Sequence, residues 1–528
     1  MKIFKNFVLM FVYFMQISSA YSQYVETPRP SNFTEITNII KKYWKGKEHQ
    51  KHSGYKPYKR WEWFMKDRVK LTGELYNTSH VWNEFEVLNE VKSRQVVSTN
   101  RNVNNWSSLG PNTSPGGYFG LGRINCMAFH PSDPAILYIG TAGGGIYKSV
   151  TAGQSWTSLN SNLPTLPISD IVVDPNNPEI IYLASGDADG SGNYFGGYSF
   201  GVLKSVNGGA SWNKTGLSFE YINNHFIYRL VVNPNNTSVL YAATNTGLYK
   251  TNNGGSSWQR LLEGEFCDLE LHPANDKVVY ATTLGSSQSS AKMFRSENEG
   301  TSFKLLYEDP SVLRSNIAVS KARPNAVWVL TCNFLQGFNY VSYSQEGNTF
   351  NVAMNNTSYN FLNHSEDGNG VGGQGAYDLA FAINPQNTLE YLIGGVNTWQ
   401  VREGANIISL ANYWTSADIT QAQAVHADKH NIYYHPINNY IYEVNDGGIY
   451  VSKDNGKQWM DLTNGIDIGQ IYRMDYFAGK LLAGHQDNGT KRLMDSGWKS
   501  VLGGDGMDNA INRKNINTQY GGVQNGVI

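Results

Sequence analysis

Histidine and aspartate alternate in the segment Val425-His-Ala-Asp-Lys-His430. Because alternate side chains of an extended chain point to the same side, we expect His426, Asp428 and His430 to share one side of the backbone. Further aspartates stand in glycine-rich segments downstream, where tight turns would present them from loops. These segments are Asn445-Asp-Gly-Gly448, Gln486-Asp-Asn-Gly489 and Gly503-Gly-Asp-Gly506.

Three kinds of chemistry fit these residue types. In a glycosidase, two aspartates would act as acid and base on one glycosidic bond. In a metal site, His-x-Asp-x-His would supply nitrogen and oxygen ligands, although the spacing matches no established zinc signature. In a structural role, the Asp-Gly and Asp-Asn-Gly sequences would cap tight turns. The aspartates considered for catalysis are Asp446 and Asp487, with Asp428 and Asp505 as the remaining members of the set.

A second acidic segment, Asp187-Ala-Asp-Gly-Ser-Gly-Asn193, alternates oxygen-bearing side chains with glycine. Such a pattern resembles a calcium loop, with Asp187, Asp189 and Asn193 as the candidate ligands. The glutamate that an EF-hand carries at its twelfth position is missing, so an EF-hand is excluded. Two interpretations remain, a calcium-stabilised surface loop and a plain glycine-rich loop.

The elements that position these residues are indicated by a repeat. The box Ser452-Lys-Asp-Asn-Gly-Lys-Gln-Trp459 has close copies at 149–156, 205–212, 251–258 and 296–303, and a degenerate copy at 343–350. Its closing aromatic residues recur every 39 to 64 positions from Trp106 to Trp498. A period of about 40 to 50 residues is typical of propeller blades. We therefore predict an all-β, multi-bladed β-propeller of eight or more blades, possibly ten.

Each period contains four short strands. In the first one, Ile124 to Phe129 is an apolar run, His130-Pro-Ser-Asp-Pro134 is a turn, and two further strands lead to the box. Similar turns at Asp174-Pro175 and Asn233-Pro234 each precede an apolar strand. This order predicts four-stranded blades around a central channel.

The box itself has a structural explanation. Asp or Asn bonds nearby backbone amides, glycine supplies a positive φ, and the aromatic ring packs under the turn. We expect the box residues to lie opposite the ligand face and to stabilise the hairpin between the third and fourth strands. These residues are Asn207, Asn253, Asn298 and Asp454.

The ligand face of a propeller is formed by two sets of loops. One set joins the fourth strand to the next blade, and the other joins the second strand to the third. Besides the catalytic candidates Asp446 and Asp487, the residues expected on this face are Arg123, Asp187, Asp189, Asp378, His426, Asp428, His430, His485, Asp505 and Asp508.

The region before the propeller differs in character. Residues 1–22 resemble an export signal, with Lys2 and Lys5 ahead of an apolar run and small residues behind it. Residues 23–100 form an extension in which 36–44 and 61–69 are predicted helices, and 90–105 is the expected linker to the propeller. Its aromatic cluster fits packing on the propeller better than sugar binding. Residues 101–528 form the propeller, and 520–528 repeat only the start of a third strand. We expect the propeller to be truncated at its C-terminal end; the alternative is closure by residues 102–106 as the missing outer strand.

Composition narrows the class of protein. The chain has 528 residues, 53 glycines, 33 tyrosines and a net charge of −1. This near-neutral balance provides no broad field for nucleic acid or acidic lipids. The three cysteines, Cys126, Cys267 and Cys332, argue against a disulfide scaffold and are expected to be buried free thiols. A secreted or cell-surface protein without a membrane span after signal removal is therefore predicted.

The boxes resemble the Asp-box (BNR) repeats of sialidases, sortilin-type receptors and xyloglucan-cleaving glycosidases. Residues 101–528 are similar to exported bacterial sortilin-like propellers, through Trp106-Ser-Ser-Leu-Gly-Pro111 and Gly143-Gly-Gly-Ile-Tyr-Lys-Ser149. The resemblance implies a propeller that binds an extracellular glycan or protein, or alternatively a glycoside hydrolase with paired aspartates. In the xyloglucan-cleaving family an aspartate stands where this chain has Ala142, so inherited hydrolysis is in doubt. Asp446 occupies a comparable place in a later blade.

Overall fold

A computed structural model describes most of the chain outside its N-terminus. The described residues are 32–46, 55–95, 107–114, 119–192, 199–220, 223, 225–403, 407–413 and 424–526. The predicted export signal, the candidate calcium ligand Asn193, and Trp106 and Trp414 of the closing aromatic series lie outside these ranges.

Within these ranges the chain forms eight four-stranded antiparallel sheets and one two-stranded sheet, with strands in sequential order. This agrees with the predicted all-β, multi-bladed propeller. Sheets one to three comprise β1 Ile124–Phe129, β2 Leu137–Thr141, β3 Ile146–Ser149, β4 Thr157–Ser158, β5 Ile168–Val173, β6 Ile181–Ser185, β7 Val202–Ser205, β8 Asn213–Lys214, β9 Ile227–Val232, β10 Leu240–Thr244, β11 Gly247–Thr251 and β12 Gln259–Leu262. Sheets four to six comprise β13 Phe266–Leu271, β14 Val279–Thr283, β15 Ala291–Ser296, β16 Lys304–Asp309, β17 Val312–Val319, β18 Val327–Asn333, β19 Phe338–Ser344, β20 Asn351–Asn355, β21 Ala380–Ile383, β22 Glu390–Gly394, β23 Thr398–Arg402 and β24 Ile407–Asn412. Sheets seven to nine comprise β25 Lys429–Tyr434, β26 Ile441–Asn445, β27 Gly448–Ser452, β28 Met460–Asp461, β29 Ile471–Phe477, β30 Lys480–His485, β31 Gly489–Met494, β32 Gly497–Leu502, β33 Asn509–Ile511 and β34 Gln519–Gly521.

The first seven sheets close into a ring. Their inner strands β1, β5, β9, β13, β17, β21 and β25 contact one another in this order, and β25 contacts β1. One apolar core joins sheet seven to sheet one, with Val444 and Ile449 packed against Ile124 and Ile139. The indole Nε1 of Trp156, the box aromatic of sheet one, donates to the Leu462 carbonyl oxygen at 2.8 Å. Sheet seven thus serves as the neighbour that sheet one needs to bury its apolar face.

The eighth and ninth sheets lie outside this ring, and β29 packs against β33. The number of sheets matches the predicted eight or more, but their arrangement differs from the single ring that a uniform repeat implies. Sheet seven is complete, because β28 supplies its own fourth strand. Residues 102–106, considered in the sequence as a closing outer strand, lie outside the described ranges.

Polar side chains on the inner strands connect neighbouring blades around the channel. The buried carboxylate of Asp170 on β5 accepts the backbone N–H of Leu230 on β9 at 2.8 Å. Asp268 on β13 accepts the backbone N–H of Ile317 on β17 at 2.6 Å. Arg229 lies between them and binds Glu270, 2.7 Å from Nη2 to Oε1. Hydrogen bonds and opposite charge offset the desolvation cost of these buried groups.

The repeated boxes form hairpin turns between the third and fourth strands. In the second sheet, Ser205 Oγ donates to Asn207 Oδ1 at 2.9 Å and accepts the Gly209 N–H at 2.9 Å. Gly209 has a φ of 91°, which glycine adopts without strain. The Gly208 N–H donates to the Glu179 carbonyl oxygen in the loop between the first two strands. The same Ser/Thr-to-Asx bond occurs at Asn253, Asn298 and Asp454, so all four side chains lie at the end of the sheets opposite the predicted ligand face.

The described part of the extension contains three helices, α1 Phe33–Trp44, α2 Tyr55–Met65 and α3 Thr78–Gln95. The first matches the predicted helix closely, the second begins earlier than predicted, and the third occupies part of the expected linker. Trp44 and Tyr58 pack with Ile36 and Ile40 in a small separate core, so these aromatic residues pack within the extension and not on the propeller as predicted. Trp82 of α3 instead joins the core of the first two sheets.

Cys126, Cys267 and Cys332 are free and buried, as predicted. Across the described part of the chain, no helix combines the length and apolar composition that a bilayer crossing requires.

Candidate functional site

The candidate site lies at the end of the channel opposite the boxes, and we call this end the mouth. Two sets of loops form it, as predicted from blade geometry. Loops that enter the inner strands carry Arg123, Asp378 and Asp428, and loops between second and third strands carry Asp187 and Asp446. Asp487 and Asp505 come from the eighth sheet, outside the ring.

The eighth sheet is fixed to the mouth by hydrogen bonds. Asn488 Nδ2 donates to the Asp446 carbonyl oxygen at 2.9 Å. His426 Nε2 lies 3.1 Å from the Asp487 carbonyl oxygen, and the Asp487 N–H donates to Asp505 Oδ1 at 2.8 Å. The site is therefore a junction between the ring and the sheets that follow it.

A buried charge network forms the floor of the mouth. Arg123 forms an ion pair with Asp187. Its Nη1 also donates to the Tyr377 hydroxyl at 3.2 Å, and this hydroxyl donates to Asp446, 2.8 Å from Oδ2. Asp446 is 1% exposed. The network thus holds the Asp446 carboxylate in one orientation, out of reach of bulk water.

His430 connects this network to Asp189, on the other side of the mouth. Its Nε2 lies 2.8 Å from Asp446 Oδ1, and its Nδ1 lies 2.9 Å from Asp189 Oδ2. Burial works against a charged imidazole, but hydrogen bonds to the two carboxylates outweigh it and raise the His430 pKa to about 9. For Asp446, the His430 bond outweighs burial and lowers the pKa. His430 is consequently a cation between two anions at neutral pH.

Arg314 on β17 completes the network. Its Nη2 lies 3.1 Å from Asp189 Oδ1, while Nη1 donates to the carbonyl oxygens of Ala376 and Tyr377 at 3.0 and 3.1 Å. Burial opposes ionisation of Asp189, but Arg314 and His430 lower its pKa. The guanidinium thereby fixes both an acidic side chain and the backbone that carries Tyr377.

Above the floor, half-buried carboxyl groups line the opening, and we call Asp428, Asp487 and Asp505 the mouth carboxyls. Gln374 Nε2 donates to Asp428 Oδ1 at 3.0 Å. Burial and the neighbouring Asp446 raise the pKa of Asp428 to about 7. Burial, Asp446, Asp505 and Asp428 raise the pKa of Asp487 to about 9. Asp487 is therefore mainly protonated at neutral pH and can donate a hydrogen bond.

The predicted alternation of His426, Asp428 and His430 on one side is wrong. Asp428 has a φ of 64°, which turns the backbone out of the extended conformation. Consequently His426 bonds the Asp487 backbone, Asp428 bonds Gln374, and His430 bonds Asp189 and Asp446. Asp487 also has a positive φ, 55°. Two of the mouth carboxyls thus stand on left-handed backbone, a conformation that often marks functional loops.

Asp378 lies beneath these groups and is fully buried. Neither of its carboxyl oxygens has a hydrogen-bond partner among the described residues. Burial, with Asp428 and Asp446 nearby, raises its pKa well above the ordinary value. Burial of the protonated Asp378 carboxyl group costs less free energy than burial of an unpaired carboxylate.

Other predicted residues lie away from the opening. His485 is buried in the eighth sheet, where burial and then Lys491 lower its pKa to about 4. Asp508 is exposed and pairs with Arg473, 3.3 Å from Oδ1 to Nε. Ala142, which stands at the position of the xyloglucan-cleaving family's aspartate, donates its N–H to the Arg123 carbonyl oxygen.

No three His, Cys, Asp or Glu side chains within the described ranges are arranged to hold a metal ion. Asp187 and Asp189, considered as calcium ligands, are engaged by Arg123, Arg314 and His430. Because Asn193 is not described, a calcium site stays a prediction.

Sequence reasoning missed Tyr377, Arg314 and Gln374. Tyr377 directly precedes Asp378, which the loop argument did find, and a search of its neighbours would have included it. Arg314 belongs to an inner strand rather than to a loop, and no sequence pattern distinguishes it.

Comparisons with known proteins agree with this fold. No protein-family model matches the chain. A xyloglucanase of Paenibacillus sp is 30% identical over 157 residues, 27% of this chain and 15% of the relative. A xyloglucanase of Hypocrea jecorina is 28% identical over 144 residues, 25% of this chain and 17% of the relative. These matches span less than a fifth of either relative.

Among solved structures, the GH74 xyloglucanase from Xanthomonas campestris has a TM-score of 0.56 and 17% identity, covering 76% of this chain and 63% of that enzyme. The Niastella koreensis GH74 enzyme has a TM-score of 0.56 and 17% identity, covering 77% of this chain and 65% of that chain. At this identity the likeness concerns the β-propeller fold.

Proposed function

We propose that this protein binds a neutral polysaccharide at the mouth, outside the cell. The observation that carries the proposal is the set of half-buried mouth carboxyls above a rigid charge network. Protonated Asp487 donates a hydrogen bond, Asp428 both donates and accepts near neutral pH, and the Gln374 amide adds a further polar group. Sugar hydroxyls need such paired donors and acceptors.

Charge favours a neutral ligand over an acidic one. Asp446 and Asp189 are ionised, and their positive partners lie beneath them, His430 and Arg123 buried and Arg314 largely so. An anionic glycan would meet the mouth carboxyls, whereas these three cations are already paired with aspartates, so the cost of its desolvation would not be offset. The two xyloglucanase relatives are consistent with a glycan ligand. Export rests on the signal-like N-terminus of the sequence.

Hydrolysis is the second candidate, and the raised pKa of Asp487 favours it. A glycosidase acid must hold its proton at working pH, which Asp487 does. The predicted partner Asp446 is less suited to act directly, because Tyr377 and His430 occupy its two oxygens. A base would then come from Asp428 or Asp505, which are partly exposed.

The test is binding of the full chain to neutral glycans, including xyloglucan, mixed-linkage glucan and mannan, beside polygalacturonate. We expect one neutral glycan to be retained, and Asp487→Asn and Asp428→Asn to weaken it. Asp454→Asn is the matched control, because Asn replaces Asp naturally in three other boxes at the opposite end. Release of new reducing ends that is lost in Asp487→Asn would favour hydrolysis. If no glycan is retained, or only the acidic one, the proposed function is wrong.

A further inference from the structure

An exposed apolar cluster lies on the same end of the ring as the mouth. Phe334 and Leu335 stand in the loop between β18 and β19, and are 41% and 64% exposed. Val371 stands in the loop that leads to β21 and is 83% exposed. We call Phe334, Leu335 and Val371 the apolar rim. Exposed apolar groups that gather in this way commonly mark a binding surface.

The apolar rim is built on a fixed backbone. Asn333 Oδ1 accepts the N–H groups of Leu335 and Gly337 at 2.9 and 3.2 Å. On the second loop, the buried amide of Asn360 donates to the carbonyl oxygens of Gly370 and Gly372 at 3.1 and 2.7 Å. These bonds hold the apolar side chains out in solvent.

The rim is continuous with the mouth. The Gly373 N–H donates to the Leu335 carbonyl oxygen at 3.1 Å, and the Gly375 N–H donates to the Gln336 carbonyl oxygen at 2.8 Å. Gln374 lies between these two bonds, and its amide binds Asp428 at the opening. One short stretch of backbone therefore carries both the apolar rim and a polar group of the mouth.

We propose that the apolar rim is a second sugar subsite, which packs against the apolar face of a pyranose ring belonging to the same chain that occupies the mouth. This inference rests on the proposed function. It narrows the ligand to a polysaccharide that binds through more than one sugar, since the rim extends the binding surface beyond the mouth. The C–H face of a pyranose is apolar, and an exposed phenyl ring offers a matching surface.

The experiment measures the affinity of the full chain for oligosaccharides of increasing length, made from the neutral glycan that the wild type retains. Phe334→Ala combined with Val371→Ser should weaken the longest oligosaccharide about five- to tenfold, because less apolar surface is buried. The shortest fragment that binds should keep its affinity. Val206→Ser is the matched control, because Val206 is 58% exposed in a box loop at the opposite end. Unchanged thermal unfolding would verify that the variants fold.

Three outcomes would overturn the inference. If the rim variant binds long and short fragments with unaltered affinity, the rim is not a subsite, while the proposed function stands. If the rim variant binds long and short fragments with equally reduced affinity, the rim does not bind a separate sugar. If the wild type retains no glycan at all, the proposed function fails and the subsite fails with it.

Discussion

The imidazole of His430 joins two carboxylates that come from different sheets, with Nε2 2.8 Å from Asp446 Oδ1. Nδ1 lies 2.9 Å from Asp189 Oδ2, so both ring nitrogens face an acceptor. A neutral imidazole carries one N–H and could satisfy only one of these contacts. Because the pKa values of both Asp446 and Asp189 are lowered, both carboxylates are ionised and accept, so the imidazole takes the charged form in which both nitrogens donate.

Replacing His430 with glutamine should destabilise the protein by about 3 to 5 kcal/mol near pH 6, because two buried carboxylates lose their shared cation. The His430 pKa rises from its ordinary 6.5 to about 9 on folding. A raised histidine pKa stabilises fully below pH 6.5, and this contribution disappears as pH rises through 9. The lowered pKa values of Asp189 and Asp446 add stability that is lost as pH falls below their ordinary 3.8. Urea unfolding across pH 4 to 10 measures the difference, which should be largest between about pH 4 and 6.5.

His435→Gln is a control in which the stability relative to wild type should change with pH in the opposite direction. Burial lowers its pKa, so the wild type loses stability from this group as pH falls below 6.5. The stability of His435→Gln relative to wild type should consequently improve on the acid side. A His430→Gln difference that does not shrink at alkaline pH would contradict the charged bridge.

Tyr377→Phe should cost about 1.5 to 3 kcal/mol, because its hydroxyl donates to an ionised carboxylate. Glycan affinity should also fall, since the Asp446 carboxylate is no longer held in place. Tyr241→Phe is the control: its buried hydroxyl donates to the Glu299 carbonyl oxygen at 3.0 Å in a box loop, at the end opposite the mouth. We expect both variants to lose stability and only Tyr377→Phe to lose affinity, measured by unfolding and calorimetric titration. Equal affinity in the two variants would remove Tyr377 from the site.

Asp487→Asn should bind glycan less well and yet be more stable than the wild type at pH 8. The Asp487 pKa rises to about 9 on folding, mainly through burial. A carboxyl with a raised pKa makes the folded state lose stability as pH rises from its ordinary 3.8 to about 9. Asparagine removes this loss, so the stability of Asp487→Asn relative to the wild type should increase from pH 4 to pH 8. Unfolding at both pH values checks it, and a variant less stable at pH 8 would refute the protonated state.

The propeller was predictable because each box is a local structure. Ser205, Asn207 and Gly209 bond one another within five residues, so their spacing alone defines the turn. Ring closure, in contrast, does not depend on local contacts. The core that Ile449 and Ile124 share joins distant parts of the chain, and a uniform repeat does not indicate which sheet closes on the first.

The loops that form the site were predictable, but the hydrogen bonds and ion pairs between their side chains were not. Asp446, Asp428 and Asp487 were found because glycine-rich turns accompany them. Their bonding depends on Tyr377 and on the left-handed backbone of Asp428, which local sequence does not indicate. The calcium interpretation of Asp187 overlooked Arg123, which lies 64 positions away.

Ring closure between sheets seven and one predicts that the chain tolerates loss of everything after Gln470. The Leu121 N–H donates to the Gly447 carbonyl oxygen and the Tyr147 hydroxyl donates to Asp467, so the closing contacts lie before that point. Residues 1–470 should unfold cooperatively, at a lower temperature because the Asn488 bond to Asp446 is absent, and should bind glycan poorly without Asp487.

Residues 1–423 provide the comparison, because that chain lacks the whole of sheet seven. The apolar face of sheet one, with Ile124 and Ile139 fully buried in the intact protein, would then be exposed to water. We expect this shorter chain to aggregate or to melt without a cooperative transition, measured by circular dichroism and calorimetry. If the two truncated chains behave alike, sheet seven is not the element that closes the ring.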